Sequence, residues 1–398
     1  MTALPEMTSR PVQTGNLTIR PVQYRDLEAI EQLSTQGSDL ENQSGVANLT
    51  HQLQKVRRWY GTLKLLSMFP NPYQYEFCAY VAIENQQIRG MIQVAPFNRT
   101  RSTWRVERLA IAPPDLSAGT QTAATEIGSQ LLRHCFKSIV EAHNWLLEVN
   151  IHDRQTLAIY RQNGFQPLAE LTHWAIAPDL IAELAKREPD LPNLLPASNA
   201  DAQLIYQLDT VAMPPLLRQV FDRQIHDFKT SIFKSAFTSI KQWLKQNNSV
   251  SGYVFEPQRK AAIGYFQLQL CRDGSQAHTA QLTVHPAYTW LYPELLSQMA
   301  RILQELPAQS LHLMSADYQP EREEYFEQLG AERIERALLM SRSVWHKVRE
   351  AKHISLEGLQ LTEVLKSLQP SRQPVPSRID NLQSTIQPED KETRGQGD

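Results

Sequence analysis

Val106-Glu107-Arg108-Leu109-Ala110-Ile111-Ala112-Pro113 is the stretch on which the reading of this chain turns. Its apolar residues form a short run that Pro113-Pro114 stops, so it reads as a strand with Glu107, Leu109 and Ile111 on one face. A polar loop, Asp115 to Thr125, follows. Ile127-Gly128-Ser129-Gln130-Leu131-Leu132 then opens a helix, in which Ile127, Leu131, Leu132, Cys135, Phe136, Ile139 and Val140 make one apolar stripe. Trp145 to Ile151 reads as a further strand, Thr156 to Gln162 as a short helix with Gly164 at its C-cap position, and Phe165 to Ile176 as closing strands. Upstream, Leu17 to Val22 alternates as a strand and Asp26 is placed to cap a helix to Leu33. A helix from Val46 to Met68 ends at Pro70-Asn71-Pro72. Two strands, Phe77 to Glu84 and Ile88 to Val94, are joined by the polar link Asn85-Gln86-Gln87.

The same order recurs. Helical Asp201 to Val220 precedes strands Tyr253 to Glu256, Ala262 to Leu270 and Ala280 to Val284. Helix Pro293 to Leu306, strand Ser310 to Ser315, helix Arg322 to Leu329 and strand Arg333 to Ser341 complete it. Gly90 and Gly264 are 174 residues apart, Pro113 and Pro286 are 173 apart, and Gly164 and Gly330 are 166 apart. The registers thus agree until the loop after Pro113, where the first half carries seven more residues. The pattern predicts an α/β protein of two domains, 16–178 and 198–346, each a mixed central β-sheet flanked by helices. Residues 1–15 form a flexible lead-in, and 179–197 a proline-bearing linker. Residues 347–398 read as a mostly disordered tail in which Leu361, Val364, Leu365 and Leu368 mark a short helix over 361–368, either docked or able to bind a protein partner.

Composition bounds the function. At about 100 to 200 residues per domain, 398 residues fit this two-domain organisation. Forty Lys and Arg against 42 Asp and Glu leave a formal charge of -2, which offers no general attraction to phosphate backbones, so no nucleic-acid partner is expected. No apolar run has the length of a membrane span and Met1 to Gln13 lacks the apolar core of a secretory signal, so the expectation is a cytoplasmic protein without a membrane partner. Cys78, Cys135 and Cys271 are far apart and read as small core residues; His278 and His285 lack metal-ligand spacing, and no metal site is expected. Arg89, Arg99, Arg101, Arg105 and Arg108 read as a solvated face.

A strand ending in L-A-I-x-P, then I-G-S-x-L-L, then Ala158-Ile159-Tyr160-Arg161-Gln162-Asn163-Gly164-Phe165 together resemble the GNAT superfamily of acyl-CoA-dependent N-acyltransferases. The resemblance covers roughly residues 16 to 346, as tandem domains with a degenerate second copy. It implies transfer of an acetyl group from acetyl-CoA, as co-substrate, to a primary amine of a small molecule or peptide by direct attack. It further implies that the backbone at Leu109, Ala110 and Ile111 pairs with the pantetheine arm, that Glu107 is the general base, and that Tyr160 protonates the departing thiolate. A loop entering a helix presents unpaired N–H groups to a diphosphate; by resemblance this role falls to Ile127, Gly128 and Ser129. The asparagine that the family often carries seven residues before the tyrosine is Asp153 here, with Asn150 nearby, and both are expected at the donor site. Two departures stand out: Glu126 and Ala123 hold positions where the family usually has Gly and Gln or Arg. Gly119 and Gln121 are available to substitute.

The second half departs further. It has no glycine between Ala287 and Gln309, and Phe326 replaces the tyrosine. Two other functions suit a paired GNAT-like fold: a non-catalytic module that binds acyl-CoA or a protein, and a Fem-like aminoacyl transferase.

Overall fold

A computed structural model describes residues 12–14, 17–36, 78–112, 121–229 and 249–344. Contacts divide the chain into two units, Met1–His346 and Lys347–Asp398, and the described residues all belong to the first. The first half contributes β1 (Val12–Thr14), β2 (Leu17–Pro21), α1 (Leu27–Gln36), β3 (Cys78–Glu84), β4 (Gln87–Pro96), β5 (Thr103–Ile111), α2 (Gln121–Ser138), β6 (Asn144–Asn150), α3 (Arg154–Gln162) and β7 (Gln166–Ile176). There follow α4 (Pro178–Lys186), β8 (Leu194–Pro196), α5 (Ala202–Ala212), α6 (Pro215–Phe221), β9 (Ser249–Glu256), β10 (Ala261–Gln269) and β11 (His278–Val284). The described chain ends with α7 (Leu291–Leu303), β12 (Leu311–Ala316), α8 (Pro320–Leu329) and β13 (Glu332–Ser343). The helix expected over Val46 to Met68 and the tail helix over 361–368 lie outside the described residues.

All thirteen strands belong to one mixed sheet in the order β1-β2-β3-β4-β5-β6-β13-β7-β12-β11-β10-β9-β8. The centre is an exchange. β13, the last strand of the second half, lies antiparallel between β6 and β7 of the first, from Ala337 opposite Asn150 to Ser343 opposite Asn144. β7 in turn pairs with β12, Leu311 opposite Ile176 through Ala316 opposite Leu171. Phe165 to Ile176, read as closing the first half, therefore supplies a strand to the second. Alternation alone identifies a strand but cannot choose its neighbour, since either partner satisfies the same pattern.

Glycine contacts place the repeat in three dimensions. A Cβ on Gly90 would meet Ile127 at 3.0 Å and Leu131 at 3.3 Å; one on Gly264 would meet Leu295 at 3.0 Å and Leu291 at 3.1 Å. Each glycine thus seats the corresponding helix, α2 or α7, directly on its strand. Leu131, Leu132 and Cys135 of α2 and Leu291, Leu295 and Leu296 of α7 are fully buried, as their helical spacing requires.

Val12–Thr14, within the stretch read as a flexible lead-in, is a strand paired with β2, and three further differences from the sequence reading bear on the arrangement. Helix α2 begins at Gln121 rather than after Thr125. The single helix expected over Asp201 to Val220 is two, because Pro214 and Pro215 cannot continue it and Pro215 starts the next. The stretch read as a linker is itself ordered: Pro178 opens α4, whose Ile181, Leu184 and Ala185 pack into the core of the second half. Cys78 and Cys135 are buried as expected, whereas Cys271 is half-buried in the β10–β11 loop, its Sγ 2.9 Å from Asp273 Oδ1.

Candidate functional site

Strands β5 and β6 run parallel but pair only from Thr103 opposite Asn144 to Val106 opposite Leu147. Beyond that point they part, and Glu107–Ile111 has no strand partner on the β6 side among the described residues. On its other edge β5 is irregular: Gln93 pairs with Arg108 and Val94 with Val106, which leaves Glu107 as the extra residue of a bulge. A bulge bends and twists its strand and re-aims the side chain it carries. The result is a cleft between two strands, with Glu107 on β5 and Glu148 on β6 at its apex.

Both carboxylates have partners. Arg105 donates to Glu107 from Nε to Oε1 and from Nη2 to Oε2, each at 2.9 Å. Glu148 Oε2 lies 3.8 Å from His173 Nε2 on β7, the two side chains each about one-third exposed. The fork of Arg105 contacts each Glu107 oxygen once and leaves a second lone pair on each able to accept. Glu148 and His173 were not singled out in the sequence; their side chains meet across β13, which lies between β6 and β7.

Leu109 is buried in the core beneath α2, Ala110 packs on the α1 side, and Ile111 is partly buried. Tyr160 is 4% exposed and packs edge-to-face on Phe165 at 5.6 Å. Ile127, Gly128 and Ser129 do not lie at the opening of the helix. Because α2 starts at Gln121, they fall about two turns inside it. Gly128 lies close against its neighbours: a Cβ would lie 2.9 Å from Ile111 Cδ1 and 3.1 Å from Ile159 Cγ2. Ser129 Oγ accepts a hydrogen bond from Asn163 Nδ2 at 2.8 Å, a buried link between α2 and α3. Asp153 is the N-cap of α3, accepting from Thr156 N at 3.0 Å. Asn150 donates to Glu335 Oε1 on β13 at 3.0 Å and accepts from His152 N at 2.8 Å. Each of these polar side chains thus has a structural partner.

The arginines flagged in the sequence are paired too: Arg89 lies 3.8 Å from Glu84 and Arg101 3.6 Å from Glu141. Burial drives the Cys78 thiol up to about 11 and the Tyr80 phenol higher still, so neither ionises near neutrality. No group of three or more potential metal ligands occurs among the described residues, and no helix among them is long and apolar enough to cross a membrane.

The second half repeats the parting of its parallel strands. β11 and β12 pair only at His278–Leu311 and Thr279–His312, without a bulge between β10 and β11. At the place of Gly128, one residue after the helix residue that seats on the strand glycine, stands Tyr292. Its buried ring stacks on Tyr325 at 6.5 Å. At the place of Tyr160, four residues before the C-cap glycine, stands fully buried Phe326.

No protein-family model matches the chain, and no curated protein does. Solved structures do. A tandem GNAT protein from the clavulanic acid biosynthesis pathway superposes with a TM-score of 0.52 at 14% identity, over 83% of this chain and all of its own. A GCN5-related N-acetyltransferase from Sphaerobacter thermophilus gives 0.49 at 12% identity, over 87% of this chain and 98% of its own. A putative acetyltransferase from Pyrococcus horikoshii gives 0.46 at 9%, over 86% and 94%. The parted parallel strands, the element order repeated twice and the superposition along both halves lead to one conclusion: the chain has the fold of the GNAT superfamily, in tandem.

Proposed function

We propose that the first half is an N-acyltransferase that takes an acyl group, acetyl in the simplest case, from acyl-CoA to a primary amine. The observation that carries this reading is the cleft between β5 and β6. Its open strand edge suits an extended chain bearing amides, which would add to β5 along Leu109, Ala110 and Ile111 as a peptide adds to a sheet edge. A donor laid in this way brings its thioester toward the apex, where Glu107 and Glu148 lie.

In this reading the amine nitrogen attacks the thioester carbonyl, the C–N bond forms and the C–S bond breaks. Glu107 takes the ammonium proton directly or through water, and Tyr160 gives its phenolic proton to the thiolate. The diphosphate would lie against the first turn of α2, where N–H groups have no intrahelical acceptor. Gly128, inside the helix, serves there by letting α2 approach β5 and α3. Asn150 and Asp153 hold the turn between β6 and α3 at the mouth of the cleft rather than reaching the donor themselves.

A second reading, a non-catalytic acyl-CoA-binding module, draws on the grip of Arg105 on both Glu107 oxygens. Thiol release from acetyl-CoA across a panel of primary amines separates the two. The enzyme reading expects release that depends on the amine and falls about 10²-fold or more in Tyr160→Phe. Donor binding without release for any amine in the panel favours the module.

A further inference from the structure

Arg322, on the first turn of α8, is 5% exposed. Its guanidinium is committed to the backbone of two strands. Nη2 donates to Leu282 O on β11 at 2.8 Å, and Nη1 donates to Met314 O on β12 at 3.2 Å. Both carbonyls lie beyond the last paired residues of β11 and β12, so the side chain spans the gap where these strands part. The ring of Tyr292 covers it, 5.4 Å from Cζ to the centroid, and Nε meets no acceptor among the described residues. A cation at this depth is tolerated only because hydrogen bonds and a ring face replace its water.

The repeat shows what stands there in the first half. Ile92 faces Leu109 as Phe266 faces Leu282, and Glu148 faces Leu339 as Met314 faces His173. The two carbonyls that accept from Arg322 therefore correspond to those of Leu109 and Glu148, one on each side of the first cleft. Arg322 lies eight residues before Gly330; the residue eight before Gly164 is Thr156, too short to reach either strand. Gly128 replaces the covering Tyr292.

We propose that the second cleft is a guanidinium site permanently filled by Arg322, an internal ligand that closes this half to any extended chain and leaves one open cleft per molecule. Closure of the second cleft stands without any assumption about what the first one binds; the comparison with donor binding in the first cleft rests on the acyltransferase reading.

The test uses the full chain. Arg322→Ala is expected to lower Tm by roughly 5–10 °C, since it leaves two buried carbonyls without donors and opens a cavity. Millimolar ethylguanidinium should then restore most of the loss, by binding the folded state alone, and should not raise Tm of the wild type or of Arg336→Ala, a surface control. An Arg322→Ala variant as stable as wild type, or one that ethylguanidinium does not rescue, overturns the proposal. Arg322→Met tests it in a filled cleft: the side chain has similar reach but no donors, so lower stability than wild type is expected and equal stability counts against the site. The reciprocal variant, Thr156→Arg, should weaken acetyl-CoA binding at least tenfold without unfolding the protein. Unchanged affinity overturns the equivalence of the clefts. Failure of the wild type to bind acetyl-CoA would instead count against the donor reading and leave the rescue experiment to decide the role of Arg322.

Discussion

Gly128 shows how a residue can be noticed for one reason and needed for another. Its neighbours Ile111 and Ile159 leave little room for a larger side chain. Gly128→Ala should be close to neutral, because helix propensity gains about 1 kcal/mol and the clash falls partly on the movable end of Ile111. Gly128→Leu should destabilise by about 1–3 kcal/mol in urea unfolding. Asp26 makes a second prediction. Burial pushes its carboxyl up, but the Arg20 guanidinium, the Gln23 N–H and the nearby positive charge outweigh this and hold it below the ordinary range. The Arg20 fork contacts it at 2.6 and 2.8 Å. An acid whose folded pKa is depressed stabilises above its unfolded pKa, near 3.9, and loses that contribution as pH falls through the folded value. Unfolding free energy measured from pH 5 downward should therefore fall less steeply in Asp26→Asn than in wild type. The sequence made Asp26 legible as a polar residue at a helix start, but not its partner, since Arg20 comes from the preceding strand. Arg322 left a fainter trace: it stands four residues before buried Phe326, on the same inward helix face.

Helix α3 follows β6 at the mouth of the first cleft and is tied to α2 through Asn163 and Ser129. Asp153 ends the turn from β6 and caps the helix through Thr156 N, so Asp153→Ala should cost about 1 kcal/mol of stability by chemical denaturation. If Asp153 only caps, donor affinity should change less than threefold; a larger loss would give it the direct donor contact that the family resemblance implied. At this scale the sequence was informative. Strands β3 to β6, helices α2 and α3, and their counterparts all follow from periodicity, proline stops and C-cap glycines. The start of α2 was not legible, because Gln121 to Glu126 carries no apolar stripe and reads equally well as loop. The cleft itself was invisible: strand parting and the bulge at Glu107 are matters of pairing, and pairing is not written in one strand's residues.

Across the whole molecule, exchange of β7 and β13 makes each half incomplete alone. Residues 1–197 expressed by themselves would leave β7 without either neighbour, so they should not unfold cooperatively as a monomer. Mixed with 198–398, they should assemble into a 1:1 complex on size exclusion; a stably folded isolated first half would contradict the exchange. Duplication was legible from Gly90 and Gly264, yet the sharing of strands was not, because a repeat in sequence predicts two similar units and is silent on whether they trade edges. The central claim is that this tandem fold keeps one open donor cleft, in the first half, and closes the other. Calorimetric titration of acetyl-CoA into the full chain tests it most directly. One site per chain, weakened by Thr156→Arg and unaffected by Tyr292→Phe, is the predicted result. Two equivalent sites, or one site that survives Thr156→Arg unchanged, would contradict it.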